Sequence, residues 1–297
     1  MALAQLIDGR LIAARVRNEL SEKVKKIKKQ SGRAPSLAVV LVGEDPASMI
    51  YVRSKEKYSK EVGIDASLYR LSAQTGEKAL LDLIDELNES STVDGILVQL
   101  PLPPHINAQK IIERIDPRKD VDGLTPLNQG YLMTKREGLV PCTPQGCLEL
   151  IKSTGISLEG KTAVVVGRSL LVGSPMAHLL LKENCTVIQT HSKTKDIFSY
   201  TRQADVLVVA AGRAGLIRGE GIKDGAVVID VGINREQDGH LCGDVVFEEA
   251  VQKAAFITPV PGGVGPMTIA MLLKNTVQAA AFFLPQSSDV IRLEEES

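Results

Sequence analysis

Tryptophan is absent, and five Phe and five Tyr make up the whole aromatic complement of the 297 residues. Stacking platforms for single-stranded nucleic acid are therefore poorly supplied. An excess of one charge is also missing. The 35 Lys and Arg stand against 36 Asp and Glu, a net charge of −1, so nothing draws the chain non-specifically onto a phosphate backbone or an anionic bilayer. Neither a nucleic acid nor a membrane is an expected partner. The four cysteines, Cys142, Cys147, Cys185 and Cys242, are too few and too scattered for a disulfide scaffold, and they lack the close pairing of zinc sites. They read as reduced, core-filling thiols, and no metal is expected. No stretch approaches the ~18 uninterrupted apolar residues of a membrane span. Met1 to Asp8 lacks the basic-then-apolar pattern of a secretion signal, which makes the cytoplasm the expected compartment.

What is present is an ordinary soluble composition, 44% apolar and 24% charged, with an aliphatic core. At roughly 150 residues per domain the length suggests two domains. Apolar residues at Ile12, Val16, Leu20, Val24 and Ile27 follow helical spacing, with Lys, Arg and Glu between them. Ser36 to Gly43 is a nearly continuous aliphatic run ending in Gly, the pattern of a strand buried on both faces of a parallel sheet. Asp45 and Pro46 then suit the start of a helix that runs to about Glu61 and stops at Gly63. Strand over Ala66 to Leu71, helix over Gly76 to Leu87 and strand over Asp94 to Leu100 continue the alternation, which indicates βαβ units.

Pro101-Leu-Pro-Pro104 ends that third strand, and a loop region rich in Asp, Pro and Gly is expected from Asp116 to Pro144. Gln145 to Ser153 reads as a helix connecting the domains. A second alternating series follows: strand Thr162 to Val166, helix Ser174 to Lys182, then strands Thr186 to Gln189, Val206 to Ala210, Ala226 to Val231 and Phe256 to Thr258. The last helix is expected over Met267 to Phe283, packing back on the first domain, with a solvated tail over Ser287 to Ser297. The expected boundaries are 1–145 together with 266–297 for the first domain and 146–265 for the second.

Gly167-Arg-Ser-Leu-Leu-Val-Gly173 lies between a strand and a helix, where a glycine permits a tight turn and a helix N-terminus can face a pyrophosphate. Ser169 stands where the second glycine of the strict dinucleotide fingerprint would be, so the spacing alone also fits an ordinary turn. The next strand ends at His191-Ser-Lys-Thr-Lys195, with no carboxylate before Asp196 to accept a ribose 2′-hydroxyl. Hydroxyls and cations there, with Arg168, favour the 2′-phosphate of NADP over NAD. Read by themselves, Ser192 and Lys193 are equally a solvated turn.

Tyr51 and Lys55 are four apart on one helix and share a face. Spacing alone would leave them as surface residues. Gln99, however, ends a parallel strand, where ligands of open α/β sheets bind, and it is a polar residue that needs a partner such as Lys55. A lysine partly desolvated near a cleft can act as a general base. Asp120 and Asp122 supply carboxylates, one of which can hold an aminopyrimidinone edge, although an Asp-rich turn is the plainer reading. Pro259 to Thr268 combines glycines that let backbone approach a ligand with prolines that keep it stiff.

Taken in order, Tyr51-Val-Arg-Ser-Lys55 after Asp45 to Ser48, Val98-Gln-Leu-Pro-Leu102, Asp120-Val-Asp-Gly123, Pro141-Cys-Thr-Pro144, Gly167 to Gly173, His191-Ser-Lys-Thr194, Asp230-Val-Gly-Ile-Asn234 and Pro259 to Thr268 resemble the bifunctional 5,10-methylenetetrahydrofolate dehydrogenase/5,10-methenyltetrahydrofolate cyclohydrolase family. The resemblance spans nearly the whole chain. It implies two α/β domains flanking a cleft, the second a Rossmann-type NADP-binding domain, and a homodimer joined through that domain. The implied activity is NADP-dependent oxidation of 5,10-methylenetetrahydrofolate, then hydrolysis to 10-formyltetrahydrofolate. The alternative is a dehydrogenase without the hydrolytic step.

By the same resemblance Lys55 is the principal catalytic residue, Tyr51 orients and stacks on the substrate, Gln99 tunes Lys55, and Asp122 holds the pterin. Ser48, Val98, Leu100, Pro101, Gly262, Gly263 and Pro266 join Tyr51 and Asp122 as folate contacts. Thr143, Gly167, Arg168, Ser169, Val172, Gly173, Ser192 and Ile233 are the implied NADP contacts. Leu170, at a place often polar, and Arg213-Ala-Gly215, where a Gly-x-Pro turn is common, depart from the pattern. Two readings of other classes compete: an NADP-dependent dehydrogenase of a hydroxy or amino acid, and a catalytically silent folate binder. The first lacks an arginine clamp near Gln99, and the intact set Tyr51, Lys55, Gln99 and Asp122 speaks against the second.

Overall fold

A computed structural model of the chain describes residues 3–235 and 239–283. The expectation for the tail, Ser287 to Ser297, lies outside them. In chain order the strands are β1 (Gln5–Leu6), β2 (Ser36–Val42), β3 (Asp65–Leu71), β4 (Gly95–Val98), β5 (Thr162–Val166), β6 (Thr186–Thr190), β7 (Val206–Val209), β8 (Val227–Asp230), β9 (Asn234–Arg235), β10 (Leu241–Cys242) and β11 (Phe256–Ile257). The chain forms two compact units. Among the described residues, one takes 3–14, Leu132–Lys135 and those within Pro141–Thr268, and the other takes Arg15–Tyr131, Arg136–Val140 and 269–283.

The second of these units is built on a parallel three-stranded sheet in the order β3-β2-β4. Every residue of β2 from Leu37 to Val42 is buried, as its unbroken aliphatic sequence requires of a strand covered on both faces. Ala38, Val40 and Val42 share a core with Leu80, Ile84 and Leu87 of the helix Glu77–Glu89. Burying each larger aliphatic side chain contributes roughly 1.5–3 kcal/mol before chain entropy is subtracted. The helix Pro46–Val62 starts where expected: the Asp45 carboxylate accepts from the Ser48 backbone N–H at 2.8 Å, and Pro46 occupies the first turn. It stops at Gly63, whose φ of +90° is left-handed and whose N–H returns to the carbonyls of Ser59 and Lys60. In the same unit the Asn275 amide donates to the Val121 and Val140 carbonyls at 2.9 and 2.8 Å, tying the last helix to the segments on either side of the helix Pro126–Met133.

The other unit carries a six-stranded parallel sheet in the order β1-β11-β8-β7-β5-β6. The order reverses at β5, with β6 on one side and β7 on the other, which makes the carboxyl ends of these strands the ligand-binding edge. Val164, Val166, Leu207, Val209 and Val228 on the sheet pack with Ile217, Val245 and Ala250. The strand Thr162–Val166 matches its expectation to the residue.

Several expectations need correction. The region Asp116 to Pro144 is not one loop: it contains the helix Pro126–Met133, and the connecting helix begins early, as Cys142–Lys152. The last helix likewise begins before Met267, as Val264–Phe282. In these last two helices a proline, Pro144 or Pro266, sits in the first turn, where its missing N–H has no intrahelical bond to lose. Pairing of β1 with β11, the β9–β10 hairpin and the short helices Ala108–Arg114, Ile197–Thr201 and Phe247–Ala250 were not anticipated.

Candidate active site

In the unit with the three-stranded sheet, Lys55 lies on the helix Pro46–Val62 and is only 8% exposed. Its ammonium group donates to the Gln99 side-chain oxygen at 2.8 Å. Gln99 is fixed in turn: its amide nitrogen donates to the Leu100 carbonyl at 2.7 Å, and its backbone N–H donates to the Val40 carbonyl on β2. The lysine expected to serve a polar strand end is therefore bonded to that strand end. Tyr51 stands one turn before Lys55 and is 39% exposed, and Ser48, one turn earlier again, is buried. Val98 is buried at the end of β4, Leu100 is half-buried, and exposed Pro101 follows a cis peptide bond.

The two carboxylates after β4 divide their roles. Asp120 is buried and accepts from the Thr125 backbone N–H at 2.7 Å and the Asn128 amide at 2.9 Å. It closes the turn that begins the helix Pro126–Met133. Asp122 is half-buried two residues on, before Gly123, whose φ is +72°.

The other unit holds the remaining residues. Gly167 leaves β5 at a φ of +136°, and a Cβ there would come within 2.4 Å of the Ala210 carbonyl oxygen at the end of β7. A Cβ on Gly173 would lie 2.4 Å from the Gly167 carbonyl carbon and oxygen and 2.7 Å from the Arg168 nitrogen. The segment 167–173 thus doubles back on itself, and only two glycines allow the contact. The Ser169 hydroxyl, where a strict fingerprint has glycine, accepts from the backbone N–H groups of Val172 and Gly173 at 3.2 and 3.4 Å. This turn leads directly into the helix Gly173–Lys182. Arg168 is exposed beside it, and Leu170, the apolar departure, is 70% exposed.

After β6, the chain turns at His191 to Thr194, closed by the His191 N–H on the Thr194 hydroxyl at 2.9 Å and the Thr194 N–H on the His191 carbonyl at 2.8 Å. Ser192 and Lys193 are exposed on that turn. Ile233, after β8, is 52% exposed. Thr143 shares a hydroxyl hydrogen bond of 3.1 Å with Thr268. Gly263 is buried under Pro259 and Thr258, Gly262 has a φ of +111°, and Pro266 is half-buried. The Val260–Pro261 peptide bond is cis.

Sequence reasoning missed a pair of buried carboxylates in this unit. Asp230 ends β8 and accepts from the backbone N–H groups of Gly232, Asp244 and Val245, each at 2.9 Å. Burial, joined by the neighbouring charge of Asp244, pushes its carboxyl up to about 6 despite these donors. Asp244 accepts from the N–H groups of Ala211, Gly212 and Arg213 at 2.7, 2.8 and 2.8 Å and from the Asn234 amide at 2.9 Å. The signal was present in the apolar strand Val227-Val-Ile-Asp230, whose only carboxylate falls at its last residue. Arg213, the second departure, is held through its backbone by Asp244. Among the described residues no group of three or more His, Cys, Asp and Glu is placed to hold a metal ion, and no helix is long and apolar enough to cross a membrane.

Two domains of one known family match most of the chain. Residues 7–122 match the tetrahydrofolate dehydrogenase/cyclohydrolase catalytic domain, and residues 141–283 match the NAD(P)-binding domain of the same family. The bifunctional protein FolD of Halothermothrix orenii is 57% identical over 282 residues, 94% of this chain and 99% of that one. The crystal structure of the bifunctional FolD methylenetetrahydrofolate dehydrogenase/cyclohydrolase from Campylobacter jejuni superposes with a TM-score of 0.92 at 51% identity, covering 95% of this chain and 100% of that one. The Trypanosoma brucei methylenetetrahydrofolate dehydrogenase-cyclohydrolase, solved with NADP cofactor and an inhibitor, gives 0.90 at 42% identity, covering 95% and 99%. The chain belongs to the tetrahydrofolate dehydrogenase/cyclohydrolase family.

Proposed function

We propose that this protein oxidises 5,10-methylenetetrahydrofolate with NADP and hydrolyses the resulting methenyl compound to 10-formyltetrahydrofolate. The observation that carries the reading is the hydrogen bond of buried Lys55 to Gln99 at the end of β4. It unites two residues 44 positions apart in the arrangement that proton transfer at a bound ligand requires. The likeness to the bifunctional FolD proteins, among them the Campylobacter jejuni methylenetetrahydrofolate dehydrogenase/cyclohydrolase, favours the bifunctional reading over a dehydrogenase alone.

The residues fit NADP. The backbone fold of 167–173 leaves no room for a Cβ at Gly173, and the adjoining helix N-terminus suits a pyrophosphate. Arg168 and Ser192 supply a cation and a hydroxyl for the 2′-phosphate, where NAD would call for a carboxylate. Thr143, Gly167, Ser169, Val172, Gly173 and Ile233 complete the assigned contacts. When bound, NADP accepts the hydride from the bridging methylene of the folate.

The two nitrogens flanking that carbon stabilise the cation, so the dehydrogenase step needs positioning more than a base. Tyr51 stacks on the folate, Asp122 holds the pterin edge, and Ser48, Val98, Leu100, Pro101, Gly262, Gly263 and Pro266 line the rest. Hydrolysis does move protons: water adds to the methenyl carbon as Lys55, in its neutral amine form, takes one of its protons, and as the carbon–nitrogen bond opens the oxygen becomes the formyl carbonyl and its remaining proton passes to the leaving nitrogen. Gln99 fixes the position of the amine. We assign the folate to residues 1–145 and 266–297 and NADP to 146–265, in a cytoplasmic homodimer. Spectrophotometric turnover of methylenetetrahydrofolate with NADP, followed by decay of the methenyl absorbance, tests the reading. NADPH formed without that decay supports the dehydrogenase alone, and no NADPH at all rejects the proposal.

A further inference from the structure

The loops after β7 and β8 are not joined to each other by a sheet ladder, yet both end on one side chain. Asp244 is fully buried, and its carboxylate oxygen Oδ2 accepts from the N–H groups of Ala211 and Gly212 while Oδ1 accepts from Arg213 N–H and the Asn234 amide. The first three donors lie in the loop after β7 and the fourth follows β8. Asp230 holds Asp244 in place by accepting its backbone N–H. The packing allows no slack: a Cβ on Gly232 would come within 2.4 Å of the Asp244 carboxylate, and one on Gly243 within 1.8 Å of the Asp230 carboxylate.

Sheet order says which part of a ligand such a clamp would serve. Arg168 and Ser192 follow β5 and β6, whereas the clamped loops follow β7 and β8. From β6 to β8 is three strand spacings, roughly 14 Å at about 4.8 Å each. A dinucleotide whose 2′-phosphate end lies at β6 extends along the carboxyl edge of the sheet to the clamped loops. We propose that Asp244 is a positioning residue for the nicotinamide half of NADP, acting through the backbone N–H groups of 211–213 and the side chain of Asn234 without touching the cofactor. The inference rests on the NADP reading above and goes beyond it by assigning to Asp244 a role that no ligand contact would reveal.

Asp244→Asn keeps the shape but turns one oxygen into a donor facing N–H groups, which releases part of the clamp. The test titrates NADP and, separately, adenosine 2′,5′-bisphosphate, which carries only the adenosine and its 2′-phosphate, against the full chain and the variant. NADP affinity is expected to fall about tenfold or more, with the fragment held within twofold of its original affinity. Equal loss for both ligands reveals a merely structural carboxylate and overturns the proposal, as does no loss for either. Asn234→Ala removes only the link to the β8 loop and is expected to show the same split at smaller size. It decides the question should Asp244→Asn fail to fold, since equal loss or no loss there also overturns the proposal. Failure of the unsubstituted protein to bind NADP would instead reject the functional reading on which this rests.

Discussion

Gly173→Ala isolates the contribution of a single carbon to the cofactor turn. In most helices this change is favourable by about 0.5–1 kcal/mol, because alanine restricts the unfolded chain. Here the added Cβ would lie 2.4 Å from the Gly167 carbonyl carbon and oxygen and 2.7 Å from the Arg168 nitrogen. All three are backbone atoms, which a side-chain rotation cannot move aside. The turn must open, at a cost of about 1–3 kcal/mol for overpacking. If NADP binds the closed turn, restoring it on binding weakens the cofactor by the same energy, about 5- to 150-fold. Isothermal titration with NADP reads this directly. Gly130→Ala is the contrast: a Cβ there meets nothing within 4 Å, so binding should be unchanged and stability should rise by about 0.5–1 kcal/mol. A Gly173→Ala variant that binds NADP within twofold of the original chain would refute the argument.

Two other outcomes follow from charge. Arg168→Ala combined with Ser192→Ala should weaken NADP much more than NAD, because only NADP carries the 2′-phosphate, and equal loss in paired titrations would contradict the assignment. Asp230 is raised in the folded chain from the ordinary carboxylate value to about 6 by burial, so the folded state binds its proton more readily than the unfolded state. Its contribution to stability is therefore complete below the unfolded carboxylate value and is lost as pH rises through about 6. Between pH 5 and 7 it should add about 1 kcal/mol on the acid side. Asp230→Asn cannot titrate and should flatten that part of a melting-temperature profile, and an unchanged slope would count against the shift.

Much of the architecture was legible because the strands carry it in their own composition. Ser36–Val42 and Thr162–Val166 are buried on both faces and read as unbroken aliphatic runs. Elements defined by their partners were not legible. Gln5–Leu6 is a strand only because Phe256–Ile257 pairs with it, and both of its residues are exposed. The helix Pro126–Met133 includes Gly130 and carries no apolar stripe, so an irregular loop was the natural expectation. At the site, Lys55 and Gln99 could be paired from sequence, because a polar residue ending an apolar strand has to be satisfied. The structural bonding of Asp120 and the clamp at Asp244 could not, since each depends on backbone donors that only the folded chain brings together.

The assignment of Lys55 as the proton-transferring group is tested most directly by Lys55→Met. Methionine has a similar length and apolar stem but neither donates to Gln99 nor accepts a proton. The rate of methenyltetrahydrofolate hydrolysis should fall to the uncatalysed level while folate binding stays within about tenfold, that is within about 1.4 kcal/mol. Undiminished hydrolysis by this variant would contradict the account.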